Sequence, residues 1–450
     1  MKVNHFFTPI MASILLSAFA EKATAQQQKT LSGTMTMSSS SSMSRFSDDD
    51  NIRDEKDLKT KEVTKEVNVS KGTDIYLENS SRPIEVKTWD QPKVKLVTTI
   101  YYEGDASKLT DDEWFDKVNI TIKGLGSSVI IKSGSISGSF TSYTYGVGSI
   151  NSSGNSVAVF NENGQGIGTK KAKRLVTVYI PKDSKLDIES KYGDLSVTSD
   201  MGKLKIDITN GSLDLQNVGD LTLRSKYSNA SLGNVKSAEI EFTNGHLTGK
   251  NIDDLDIDSK YSSVDLATVK KGIIRSTNDD YEIDEVAAIQ GRKNYGNLRI
   301  TKLTSSIDLD GMNADVKLRN IASSVSSIKF NNKYADLRIP VRDLKNYSVS
   351  YTGPYSSVYA DFDKKPMSDE DIQKANDEIK AKSEKDAKEK ISANSPARTV
   401  TKSDLRVRTV TGYTSLSRSG DIDSNFTATV GDGSGLKIDI KCQNCTVDFK

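Results

Sequence analysis

Between Asp207 and Leu303 apolar residues recur with a fixed step of 17. One column runs Val218, Val235, Ile252, Val269, Val286, Leu303. A second runs Leu213, Ala230, Leu247, Val264, Tyr281, Leu298, and a third Leu215, Leu232, Gly249, Leu266, Ile283, Ile300. Every member but Gly249 is hydrophobic, against 35% over the whole chain, so the repeat is not accidental. Inside each repeat the pattern has period two, as in Leu213-Asp214-Leu215 and Leu221-Thr222-Leu223. Period two places alternate side chains on opposite faces and predicts short strands with one buried face. Asn210-Gly211 and Asn244-Gly245 supply turns between them. Hairpins need no constant step, whereas a coil does. The repeat therefore predicts an all-β fold, a single-chain parallel β-solenoid (β-helix) with 17 residues per rung. Residue i would lie over i+17, about 4.8 Å away.

A further column alternates in type: Asn210, Tyr227, Asn244, Tyr261, Asn278, Tyr295. Asn tolerates the left-handed backbone region, so the column marks a corner of the coil. Tyr192 and Tyr334 carry the same local words but fall out of strict step, which implies small insertions. The five tyrosines, Tyr192, Tyr227, Tyr261, Tyr295 and Tyr334, have two readings. They pack the corner with their hydroxyls in water, or they form an aromatic platform for sugar rings recurring about every 9.6 Å, two strand spacings.

Strand words of the same kind occupy 61–131, for example Asp74-Ile75-Tyr76-Leu77, with Trp89 and Trp114 expected to cap the core. The solenoid is expected over 61–362, with a Ser/Gly/Asn-rich exposed loop at 133–168. Residues 363–397 read as a charged, solvated helix inserted between rungs. Ser368 with Asp371 sets a capping pattern, and Glu378–Lys382, Glu384–Lys388 and Asp386–Lys390 have the favourable i,i+4 order. Residues 398–450 return to strand patterning and supply C-terminal rungs.

The N-terminus carries an address. Lys2, the apolar run from Phe6 to Ala20 and Ala23-Thr24-Ala25 predict a signal peptide, 1–25, cleaved after Ala25. The Ser-, Met- and Asp-rich stretch 26–60 then reads as disordered. No later run approaches the ~20 apolar residues that span a bilayer, so no transmembrane segment is expected after cleavage. The expected location is the periplasm or the cell surface.

Charge and cysteine content narrow the chemistry. Lys and Arg number 62 against 61 Asp and Glu, which gives no global electrostatic reason to bind nucleic acid. Two His, of which His5 lies in the signal, exclude multi-histidine metal sites. Cys442 and Cys445 sit in the strand-like IDIKCQNCTVDF rather than at a helix start, which favours a structural disulfide or buried pair over redox chemistry. No cofactor is implied. An enzyme on this coil would need clustered outward carboxylates. The best column is Asp214, Ser231, Thr248, Asp265, Glu282, Arg299, which reads more simply as a surface charge ladder. His246 replaces Ser212 of the equivalent turn and reads as an exposed corner residue.

The run DIYLENSSRPIEVKTWDQPKVKLV, then RLVTVYIPKDSKLDIESKYGDLSV, then repeated short strands resembles the bacterial "putative adhesin" β-strand-repeat family. The resemblance covers residues 60–362 and extends to 398–450. It implies export, a β-solenoid and no assigned activity, with no site residues to carry over. The expected function is non-enzymatic adhesion or a cell-envelope interaction, with a polysaccharide or envelope surface component as partner, or a protein. The alternatives are a carbohydrate-active β-helix enzyme (polysaccharide lyase or hydrolase) and a periplasmic sensor or assembly factor acting through the charged helix.

Overall fold

Alternating apolar residues in the repeat do form strands, and the strands pair in parallel with their successors. In the computed structural model Leu186 pairs with Leu204, Leu204 with Leu221, Leu221 with Ala238, Ala238 with Leu255 and Leu255 with Gly272. A second ladder runs Leu195, Leu213, Ala230, Leu247, Val264, Tyr281, and a third Val218, Val235, Ile252, Val269, Val286. From Met201 to Asn294 the register is the 17-residue step of the sequence, and beyond it Ser306 pairs with Ser327 at a step of 21. The side chains of the three ladders are buried and merge into one core. Burying each Val, Leu or Ile among them contributes about 1.5–3 kcal/mol, but only once neighbouring rungs cover it. Gly249 interrupts its apolar column because Leu266 of the next rung takes the space: a Cβ there would lie 2.8 Å from Leu266 Cδ2.

The structure describes residues 58–105, 108–134, 156–171, 175–374, 377, 381 and 424–450, within a unit spanning Asn51–Lys450. The signal peptide, the cleavage site after Ala25, nearly all of 26–60 and most of 375–423 lie outside the described residues. Among the described residues no helix is long and apolar enough to cross a membrane.

A purely parallel sheet is not what forms, and the all-β fold is a mixed one. Lys59–Asn68 pairs antiparallel with Lys93–Tyr102, which also pairs antiparallel with Val176–Pro181. Ile120–Leu125 pairs antiparallel with Ser128–Ser133, and Tyr347–Thr352 with Asn425–Val430. The first two sets lie before the regular array and the last after it. There no successor with a matching register exists, so a neighbouring strand satisfies the edge instead.

Three further differences stand out. The stretch 61–131 contains a helix, Asp111–Lys117, closed by a reciprocal Thr110–Glu113 capping box. It buries Trp114, whose ring meets Tyr102 at 6.1 Å and Phe160 at 5.6 Å between centroids. Trp89 is only half buried: its Nε1 donates to Lys93 O at 2.7 Å and its ring lies 5.5 Å from that of Tyr179. Within the expected loop at 133–168, Ser156–Phe160 and Gly166–Lys171 form a hairpin that buries Val159 and Phe160. An apolar Val-Ala-Val-Phe run outweighs its Ser/Gly-rich surroundings.

The third difference concerns chain order. Leu436–Gln443 lies between Ser327–Lys333 and Tyr347–Thr352, parallel to both. Thr446–Asp448 likewise lies between Asp336–Arg338 and Ser357–Tyr359. The C-terminal strands thus insert into the ladder instead of following it. Of the expected helical insertion, Lys365–Pro366 is a strand beside Asn425–Val430, and residues 369–374 are helical. Ser368 Oγ accepts from Asp371 N–H at 3.2 Å, and the helical stretch that it caps buries Ile372.

Candidate functional site: a tyrosine corner

One corner of the ladder gathers the residues singled out above. Tyr192, Asn210, Tyr227, Asn244, Tyr261, Asn278, Tyr295, Asn313, Tyr334, Asn444 and Tyr355 all have φ between 51° and 58°. Backbone hydrogen bonds fix their order. Tyr192 N donates to Thr209 O, Asn210 N to Lys226 O, Tyr227 N to Thr243 O, and so on to Asn278 N with Asn294 O. At the far end Tyr334 N donates to Gln443 O and Asn444 N to Pro354 O. Asn444, carried in by the inserted strand, therefore sits between Tyr334 and Tyr355. The alternation of Tyr and Asn is kept in space across a place where the sequence order is broken.

Asn suits this backbone region. Tyr does not, and a non-glycine residue held there costs roughly 1–3 kcal/mol. After three of the tyrosines, Tyr227, Tyr261 and Tyr355, a serine helps hold the conformation. Ser228 Oγ donates to Lys226 O and Ser262 Oγ to Lys260 O, both at 2.8 Å, and Ser356 Oγ donates to Pro354 O at 3.4 Å.

Corner packing would hide the rings, yet they are exposed. Relative exposure is 68% for Tyr192, 61% for Tyr227, 60% for Tyr261, 38% for Tyr295, 57% for Tyr334 and 81% for Tyr355. Tyr355 was missed in sequence because it lies far out of step. Its word Tyr355-Ser356-Ser357-Val358 nonetheless repeats Tyr261-Ser262-Ser263-Val264.

Polar columns flank the tyrosines. Immediately before the corner stand Lys191, Lys226, Lys260 and Lys333 on tyrosine rungs and Thr209, Thr243 and Thr277 on asparagine rungs. Two residues after it, Asp194 Oδ1 accepts from Ser212 N–H at 3.0 Å, Asp280 Oδ1 from Asn297 N–H at 3.0 Å and Asp315 Oδ1 from Asp336 N–H at 2.8 Å. The Asn297 amide, through both its side chain and backbone, holds the Asp280 carboxyl below its usual range against partial burial.

Beneath the corner is a buried polar cluster. The Asp279 carboxylate accepts from Ser259 Oγ and Ser276 Oγ at 2.7 Å each, from Ser262 N–H at 2.7 Å and from Thr277 N–H at 3.0 Å. Lys293 donates to Asp279 O at 2.6 Å and Tyr295 O at 3.1 Å, and its ammonium lies 5.3 Å from the Tyr281 ring centroid. Burial pushes the Lys293 ammonium down to about 8, against the pull of Asp279 and Asp280. Burial likewise pushes the Tyr281 phenol up.

Cys442 and Cys445 are joined in a disulfide with Cα atoms 5.8 Å apart, straddling Asn444. Both are buried, and Cys442 O accepts from Tyr351 Oη at 3.1 Å and Ser356 Oγ at 3.0 Å.

The column considered for catalysis forms a register ladder, Asp214, Ser231, Thr248, Asp265, Glu282, on the outer surface. His246 is half exposed, with Nε2 3.6 Å from Asp265 Oδ2. Among the described residues no cluster of three or more His, Cys, Asp or Glu could hold a metal.

No protein-family profile matches this chain, and no curated protein matches it in sequence. Among solved structures it is similar to one named a "putative adhesin" from Parabacteroides distasonis ATCC 8503, at 15% identity and a TM-score of 0.30, over 62% of this chain and 96% of that one. A "putative adhesin" from Bacteroides fragilis NCTC 9343 aligns at 14% identity and a TM-score of 0.30, over 60% and 97%. A "Putative lipid binding protein" from Parabacteroides distasonis ATCC 8503 aligns at 10% identity and a TM-score of 0.26, over 60% and 96%. At these scores the likeness carries no argument about function.

Proposed function

We propose that this chain is an exported, non-enzymatic β-solenoid that binds an extended polysaccharide of a cell or envelope surface along its tyrosine corner. The parallel ladders with a 17-residue register support the solenoid, the mixed ends serving as its caps. The observation that carries the function is the row of six exposed tyrosines, each held at positive φ. Strained backbone kept at regular intervals, with the bulky side chain left in water, adds nothing to the core and suits recognition. Aromatic faces stack on the apolar faces of sugars, and their spacing of about 9.6 Å repeats along the ladder as sugars repeat along a polymer. Several weak contacts in line give avidity without a deep pocket.

The test is a polysaccharide-array binding assay on residues 26–450, with mass spectrometry of any products. Binding without cleavage, lost in the Tyr227→Ala/Tyr261→Ala double variant, is the expected result. Cleavage of a bound glycan would sink the non-enzymatic reading and turn attention to Asp265 and Glu282.

A further inference from the structure

The tyrosine row has a charged companion. Lys191, Lys226, Lys260 and Lys333 each precede a corner tyrosine, so four of the six rings have an ammonium group beside them, Tyr295 following Asn294 and Tyr355 following Pro354. The column in which they stand carries no acid on any of the eleven corner rungs. On the other flank Asp194, Asp280 and Asp315 each accept a backbone N–H from the next rung, and Asp336, two residues after Tyr334, is exposed. Two of the lysines are also engaged, Lys191 with Glu189 at 2.8 Å and Lys260 with Asp258 at 3.8 Å. Lys226 and Lys333 pair with no carboxylate among the described residues. They stand beside Tyr227 and Tyr334, which lie on either side of the middle of the row.

Resting on the tyrosine-face reading, we infer that the ligand is an acidic polysaccharide. Its sugar rings stack on the tyrosines while its carboxylates, recurring with the same period, meet Lys226 and Lys333. A neutral polymer would use the rings and leave these ammonium groups without a partner. The overall balance of the chain is +1, so the attraction is local and in register instead of a general basic surface. Each exposed pair is weak and screened by salt, so the preference should be modest and should fade as salt rises.

The test compares polygalacturonate with its methyl ester, which share a backbone and differ in that each charged carboxylate is replaced by a neutral ester, in titrations of the full chain. The wild type is expected to bind polygalacturonate at least about fivefold more tightly at low salt. Lys226→Gln/Lys333→Gln should erase that preference and leave binding to the ester unchanged, while Tyr227→Ala/Tyr334→Ala should weaken both. Equal binding of the two polymers, or a preference that survives the lysine changes, overturns the inference. If the tyrosine variant still weakens binding in that case, the tyrosine face stands, and if it does not, both readings fall. Binding of neither polymer also overturns the inference. So does duplex DNA bound as tightly with the same lysine dependence, since the lysines would then read charge alone.

Discussion

Replacing Gly245 with Ala tests how closely the rungs stack at the tyrosine corner. A Cβ at Gly245 would fall 1.9 Å from Ser228 O of the preceding rung and 3.1 Å from Phe242 Cε1. The ring need give only a few tenths of an ångström, but a carbonyl held in a ladder cannot yield by the ångström or more that Ser228 O would have to. The rungs must part locally, weakening the bonds from Ser263 N to Gly245 O at 3.0 Å and from His246 N to Asn229 Oδ1 at 3.2 Å. Two hydrogen bonds at about 1 kcal/mol each, with overpacking of about 1–3 kcal/mol, give a loss of about 3–5 kcal/mol. Gly202 is the control, because a Cβ there meets nothing within 4 Å. Gly202→Ala should be neutral or stabilise by up to about 1 kcal/mol through the unfolded chain. Urea unfolding of the full chain, followed by far-UV circular dichroism, reads both. Equal midpoints for the two variants would refute the stacking geometry.

The remaining predictions concern the polar cluster and the disulfide. Lys293 has a folded pKa of about 8 against an ordinary 10.5, so between those values the unfolded chain holds a proton that the fold does not. Stability should therefore rise with pH through that window by about 3 kcal/mol from this residue, with a constant penalty below it. Urea titrations of wild type and Lys293→Met at both ends of the window isolate the effect, and a difference that does not move with pH would refute it. Cys442→Ser with Cys445→Ser should cost about 2 kcal/mol, the entropy of the small closed loop. Faster hydrogen exchange at Asn444 and Tyr334 would localise the loss, and unchanged exchange would count against a structural role.

The repeat was legible because it has a period: every rung buries the same three apolar columns, so one register explains Leu213, Ala230 and Leu247 alike. The left-handed corner was legible from Asn210, Asn244 and Asn278 for the same reason, each Asn reporting a local backbone preference. What sequence could not give was pairing that follows no period. Nothing in Leu436–Gln443 says that it lies between Ser327–Lys333 and Tyr347–Thr352, so the place of Asn444 and Tyr355 in the row was hidden. The Asp111–Lys117 helix is too short to declare a helical period, and only its Thr110–Glu113 capping pair could have signalled it. Exposure of the tyrosines was also out of reach, since an aromatic at a corner reads first as packing. The carboxylates Asp265 and Glu282 did fall on neighbouring rungs as their spacing predicted.

Hydroxyl-radical footprinting of the full chain with and without a bound polysaccharide most directly tests the tyrosine face. The account predicts protection running through Tyr192, Tyr227, Tyr261, Tyr295, Tyr334 and Tyr355 as one row, with Tyr355 protected alongside Tyr334 despite the intervening chain. Protection elsewhere on the surface, with these six rings oxidised at the free rate, would contradict it.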